Sequence, residues 1–109
     1  MKFIVTTQTR DSYYSLPRDK KRELFARNAE WIDRQRKSGK LELYLTPDLR
    51  GAVNIWDVES SEEAARLTLE YPLGPFTDFD TQPVVEWDVA LKILMERSTG
   101  AARAGVAAG

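Results

Sequence analysis

Residues 41–58 read Leu41-Glu42-Leu43-Tyr44-Leu45-Thr46-Pro47-Asp48-Leu49-Arg50-Gly51-Ala52-Val53-Asn54-Ile55-Trp56-Asp57-Val58, and this stretch decides the architecture. Leu41 to Leu45 alternates strictly, the pattern of a strand with two unlike faces. Thr46 to Arg50 is a turn built around Pro47 and Asp48. Gly51 opens a second strand, Ala52 to Val58, with Val53 and Ile55 on one face and Asn54 and Trp56 on the other. The two strands are expected to pair as an antiparallel hairpin.

Working outward, the hairpin is flanked by a helix on each side. The N-terminal one has Ser15 as its expected cap and Pro17 in its first turn, where the missing N–H is not needed. It runs to about Ser38, and Gly39 supplies the stop. Leu24, Phe25, Trp31 and Ile32 form its apolar stripe, with Ala29 at the edge. Asn28 and Gln35 fall near the middle of that stripe, whereas Glu23, Arg27, Glu30, Arg34 and Lys37 lie away from it. Two amides therefore face whatever the helix covers. Ahead of it come a strand, Lys2 to Gln8, and a polar loop carrying Tyr13 and Tyr14.

On the C-terminal side, Ser60 or Ser61 caps a helix with Glu62 and Glu63 in its first turn, as the helix dipole favours. That helix ends near Glu70, ahead of Pro72. A loop stiffened by Pro72 and Pro75 follows, then a fourth strand from Asp78 to Trp87, with Pro83 marking an edge or bulge. Asp88 is the expected cap of a short apolar helix, Val89 to Arg97, a kind of segment that is packed rather than left in water. The remainder, 98–109, is rich in small residues and reads as a flexible tail.

The order is therefore β-α-β-β-α-β with a terminal helix: an α+β chain with the ferredoxin-like split pattern and one domain over residues 1–97. Two helices cover one face of a four-stranded sheet and leave the other bare. Both faces carry apolar or aromatic residues, so the bare one needs a cover, and a second copy's sheet would provide it.

Composition narrows the function classes. With 16 basic and 17 acidic residues the charge is nearly balanced, and the basic run Arg18 to Arg22 is short and has no aromatic interleaving. That argues against nucleic acid as a partner. Cysteine and histidine are both absent, which excludes thiol and Ser-His-Asp catalysis and removes the usual metal ligands. No metal or other cofactor is expected. Acid–base chemistry falls to Asp, Glu, Tyr or Lys. The N-terminus turns polar too soon for a signal peptide and no apolar run reaches membrane-spanning length. The expected location is cytoplasmic, with no membrane partner.

The loop and strand Tyr71-Pro72-Leu73-Gly74-Pro75-Phe76-Thr77-Asp78-Phe79-Asp80 resemble a segment of the muconolactone isomerase-like family. There a Pro-Leu-x-Pro-aromatic loop leads into an acidic, apolar strand. The Gly39 stop and Asn54-Ile55-Trp56-Asp57-Val58 leading into Ser60-Ser61 are similar to the same family, so the likeness spans about residues 1–88. It implies a dimeric α/β barrel, as a homodimer or a higher homo-oligomer, with a pocket between helices and sheet. It also implies cofactor-free isomerisation of an unsaturated lactone by movement of one proton. Asn28 stands where that family carries an acid on its first helix.

The expected chemistry is thus isomerisation or cyclisation, by proton transfer, of an unsaturated lactone, polyketide-like or aromatic carbonyl compound. Asn28 would hold a carbonyl or enolate oxygen, and Asp78 or a tyrosine, Tyr44, would move the proton. Trp31, Asn54, Trp56 and Phe76 would line the substrate pocket, with Tyr13 and Tyr14 as a lid. Each has a plainer role open to it. Asn28 can bond a neighbouring loop or strand, Asn54 can bridge strands, and Trp31 can be core. Asp78 can sit on the surface, and Tyr44 and Trp56 can line a dimer interface. Two rival functions stand beside this one. The first is a cofactor-free monooxygenase of phenolic substrates, using Asn28 and Trp31. The second is a non-catalytic small-molecule-binding or assembly protein whose C-terminal helix serves a partner.

Overall fold

The computed structural model describes residues 1–103, with side chains as far as Ser98. Four strands form one antiparallel sheet: β1 (Lys2–Thr9), β2 (Leu41–Leu45), β3 (Gly51–Asp57) and β4 (Thr77–Val84). Their order is β2-β3-β1-β4, as a split β-α-β pair requires. Helices α2 (Arg18–Lys37) and α3 (Ser61–Glu70) are the two crossovers. A one-turn helix α1 (Asp11–Tyr14) precedes α2, a 3₁₀ turn (Gly74–Phe76) leads into β4, and α4 (Trp87–Arg103) ends the described chain. The α+β class and the ferredoxin-like element order are thereby established. No described helix is long and apolar enough to cross a membrane.

The register explains the core. Phe3 lies opposite Trp56 and Val5 opposite Asn54, while Leu41 also meets Trp56 across β2 and β3. These residues share the face under α2 and α3, and with Trp31, Val58, Ala64 and Leu67 they form the buried core. Trp56, 1% exposed, and Val5, fully buried, are its centre. The other face carries Ile4, Val53 and Ile55, half-buried, and Tyr44, 62% exposed. No side chain on that face is fully buried.

Local chemistry sets the boundaries. Ser60 caps α3 by accepting from the Glu63 N–H at 3.1 Å. The Glu63 carboxylate reaches back to the Glu59 N–H at 2.8 Å, a close variant of the reciprocal capping box. Gly39 ends α2 at φ +79°, a conformation that favours glycine. Gly51 sits so close to β1 that an added Cβ would lie 2.9 Å from the Thr7 carbonyl oxygen. In the hairpin turn, Thr46 Oγ1 donates to Asp48 Oδ1 at 2.6 Å and the Arg50 N–H donates to the same oxygen at 2.9 Å. Those two donors hold the Asp48 carboxyl below the ordinary carboxylate range.

Four expectations are corrected. Pro17, expected inside the first helix, is its N-cap, and the Ser15 side chain bonds back to the Asp11 carbonyl instead of capping it. Tyr13 and Tyr14 lie in the one-turn helix α1 rather than in plain loop. Phe25 is 61% exposed: it sits one step around α2 from the buried line of Asn28 and Trp31, beyond the width the sheet covers. Trp87, expected at the end of the fourth strand, opens α4, and that helix runs to Arg103 rather than to Arg97. The last part of the expected tail, 104–109, lies outside the described residues.

Candidate functional site

Asn28 is the pivot of the helix-covered layer. It lies at the middle of α2, 4% exposed, where the stripe faces the sheet. Its Nδ2 donates to the Tyr71 phenol oxygen at 3.2 Å, and its Oδ1 accepts from the Leu73 N–H at 3.4 Å. Both partners belong to the proline-bearing loop after α3, so one amide ties α2 to that loop. The Tyr71 ring meets Trp31 edge-on with centroids 5.3 Å apart and Phe79 in the same way at 5.3 Å. The amide–phenol pair thus has aromatic walls from α2 and β4. Burial pushes the Tyr71 phenol up, partly opposed by the Asn28 hydrogen bond. At neutral pH Tyr71 is a neutral O–H whose oxygen is already engaged by Asn28.

Close by, Asn54 Nδ2 donates to the Val5 carbonyl at 3.1 Å, bridging β3 and β1. Trp31 and Trp56, both in the core, each hold a buried indole N–H with no protein acceptor. A buried unpaired donor costs about 1–3 kcal/mol, so this layer carries more hydrogen-bond donors than it uses.

The remaining expected residues are elsewhere. Tyr44 and Asp78 are on the opposite, bare face of the sheet from Asn28 by strand register. Asp78 is exposed and bound to Arg10 Nε at 2.7 Å. Arg10 also reaches the Pro75 carbonyl at 3.4 Å, which holds Asp78 beside the loop that carries Phe76. Tyr13 is edge-on to Tyr14 at 5.2 Å and to Phe76 at 6.3 Å, and its hydroxyl donates to the Lys21 carbonyl at 3.3 Å. Burial raises the Tyr13 phenol. The Arg50 guanidinium lies over the Tyr14 ring at 4.5 Å. Asn28, Trp31, Asn54 and Trp56 therefore share the covered layer; Tyr13, Tyr14, Phe76 and Asp78 gather at the start of β4; Tyr44 stands apart from both.

Two surface hollows stand out, and none of those nine residues lines either. One, of about 620 Å³, is polar and open, between Met1, Lys40, Asp57 and the start of α3. In it Lys40 Nζ meets Glu63 Oε1 at 2.8 Å, which raises the lysine and lowers the carboxyl. The other, of about 520 Å³, is an apolar groove between α3 and the sheet edge. The expected hollow beneath the amides of α2 is occupied by Tyr71 and Leu73.

Tyr71 was not among the expected site residues. Its signal was present in the sequence, since it opens the loop that carries the family likeness. The contact that gives it a role spans 43 positions, which local patterning cannot reach. Compared with known proteins, the chain matches no family model, and no curated protein is similar to it.

Proposed function

We propose that this chain is a homodimeric α/β-barrel enzyme that isomerises or cyclises an unsaturated lactone, polyketide-like or aromatic carbonyl compound by proton transfer, without a cofactor. The observation that carries the proposal is the Asn28–Tyr71 pair: a buried amide holds a neutral phenol between the aromatic rings of Trp31 and Phe79. A neutral phenol in an apolar wall is suited to donating to an oxygen that gains charge as a C–H proton leaves. With the Asn28 amide as donor to its oxygen, Tyr71 keeps its own proton to give. Asp78, at the start of β4 and tied through Arg10 to the Pro75 carbonyl of the loop that carries Tyr71, is the carboxylate proposed to move the substrate proton. Substrate entry requires that loop to part from α2 and close again, breaking and remaking the two Asn28 hydrogen bonds and the edge-on contacts of Tyr71 with Trp31 and Phe79. The bare sheet face, with Ile4, Val53, Ile55 and Tyr44, supports a second copy as its cover.

The test is a thermal-shift screen against unsaturated lactones and polyphenols, followed by turnover assays on any compound that stabilises the chain. Tyr71→Phe should keep the fold and lower kcat by about 10²–10³-fold, the usual loss for one oxyanion donor. Unchanged turnover in that variant would remove the assignment. Oxygen consumption with a polyphenol would move the activity to the monooxygenase class. One observation favours a second reading. The apolar side chains of α4 are exposed, as an assembly protein would need. That reading gains if no compound shifts the melting temperature.

A further inference from the structure

The helix-covered layer holds two buried donors that the proposed chemistry leaves unused. Trp31 on α2 is 4% exposed and Trp56 on β3 is 1% exposed, and neither indole N–H has an acceptor among the described residues. The polar side chains buried with them are engaged with other partners. Asn28 Oδ1 accepts from the Leu73 N–H, Asn54 Nδ2 donates to the Val5 carbonyl, and Thr77 Oγ1 donates to the Leu73 carbonyl at 2.7 Å. Tyr71 accepts from Asn28 and keeps its own proton to give. The surplus is all of one kind: N–H and O–H groups that lack an oxygen to meet. Each buried unpaired donor costs about 1–3 kcal/mol. Phenylalanine would fill either place without that cost, and a buried indole N–H normally finds a partner.

The two indoles belong to opposite walls of one layer. Trp31 is on the sheet-facing side of α2, and Trp56 is on the helix-facing side of β3, opposite Phe3 and Leu41. Both are members of one continuous core cluster. A molecule that enters between helix and sheet, as the Tyr71 loop leaves α2, meets a donor on each wall. The polar side chains buried among the described residues, Asn28, Asn54 and Thr77, carry no charge. A carboxylate would find no buried cation there, and an unpaired buried charge is strongly unfavourable. We infer that the ligand of this layer is a neutral, flat ring compound carrying two carbonyl oxygens, and that Trp31 and Trp56 determine specificity by each donating an indole N–H to one of them. This narrows the carbonyl compounds of the proposed reaction, since anionic lactone acids do not fit. The inference rests on that reading, because the ligand shares the Asn28–Tyr71 site.

The chain has three tryptophans, so proton–nitrogen correlation spectra carry three indole signals, which Trp31→Phe and Trp87→Phe assign. Trp87, 65% exposed, is the internal reference. The probes are 1,4-naphthoquinone, tetralone and tetralin, with two, one and no carbonyl on the same pair of rings, and naphthoate as the anion. With no cysteine in the chain, the quinone meets no thiol. It should move the Trp31 and Trp56 N–H signals downfield, beyond any movement with tetralin, and leave Trp87 in place. Affinity should fall about tenfold or more for each carbonyl removed. Trp31 and Trp56 signals that stay in place with the quinone would overturn the inference. So would tetralin or naphthoate binding as tightly as the quinone. As a second variant, benzothienylalanine in place of tryptophan keeps the ring outline and lacks the N–H; it should weaken quinone binding about tenfold or more, and unchanged binding would overturn the inference as well. Turnover of a lactone with the two indole signals unmoved would remove this inference and leave the proton-transfer reading standing. Indole shifts with no turnover of any carbonyl compound would support the two donors and remove the proton-transfer reading.

Discussion

The two faces of the sheet are made by the same strands and differ only in which alternate residues they show. Phe3, Val5 and Trp56 point toward α2 and α3 and are 5% exposed or less. Ile4 and Ile55, one position along the same strands, are half-buried, and Tyr44 of β2 is largely exposed. Both sets are apolar or aromatic. The difference comes from the right-handed crossovers, which place both helices on one side. Alternation therefore shows that a strand has two faces, while the connections decide which one the chain covers for itself. The same contrast divides the candidate site: Asn28, Trp31, Asn54 and Trp56 went under the helices, and Tyr44 and Asp78 went to the other side.

The contrast can be broken most forcefully at its best-buried point. Trp56→Ala should cost about 3–5 kcal/mol, enough to halve or abolish the stability of a small domain, as read by chemical denaturation. Tyr44→Ala on the bare face should stay within about 0.5 kcal/mol when measured on the monomer. If the two variants lost similar stability, the covered and bare faces would not be distinct.

Next in size is the amide that links α2 to the loop. Asn28→Leu leaves the Leu73 N–H buried without its acceptor and removes the Tyr71 bond, so a loss of about 1–3 kcal/mol is expected. Tyr71→Phe removes one hydrogen bond and keeps the ring packing, for about 0.5–1.5 kcal/mol. A larger loss from Tyr71→Phe than from Asn28→Leu would show that the ring's hydroxyl, and not the amide, organises the loop.

On the bare face the expected effect is on association. Tyr44→Glu should leave monomer stability within about 0.5 kcal/mol, yet weaken self-association through the sheet at least tenfold in analytical ultracentrifugation. An unchanged dissociation constant would sharpen the comparison the other way, by taking this face out of the interface.

The smallest effect belongs to the half-buried surface pair Lys40–Glu63. Lys40 lowers the Glu63 carboxyl, so the pair's contribution is present above the ordinary glutamate range and is lost as pH falls through the lowered value. Glu63 raises Lys40, so the contribution is also lost as pH rises through that raised value. Glu63→Gln should flatten both limbs of the stability–pH curve slightly, most visibly on the acid side.

Much of this was legible along the chain. The hairpin was read from Leu41 to Val58 because alternation and a Pro-Asp turn are local signals. Helix α3 was read from Ser60 and the acids behind it, and the end of α2 from Gly39. Local signals failed where competing local structures have similar energy. Tyr13 and Tyr14 close a single helical turn before Pro17, and Trp87 joins α4 because β4 ends at Val84, once its pairing with β1 runs out at Lys2.

By itself the sequence determined the element order, the alternation of the strands, the buried stripe of Asn28 and Trp31, and the absence of histidine and cysteine chemistry. These follow from periodicity, capping and composition, which act over a few residues. Only the tertiary structure decided that Asn28 meets Tyr71, that Asp78 and Tyr44 lie on the far side of the sheet, and that the apolar side chains of α4 stay exposed. Those outcomes depend on strand register and crossover direction, which join residues some forty positions apart and leave no mark in any short window of sequence.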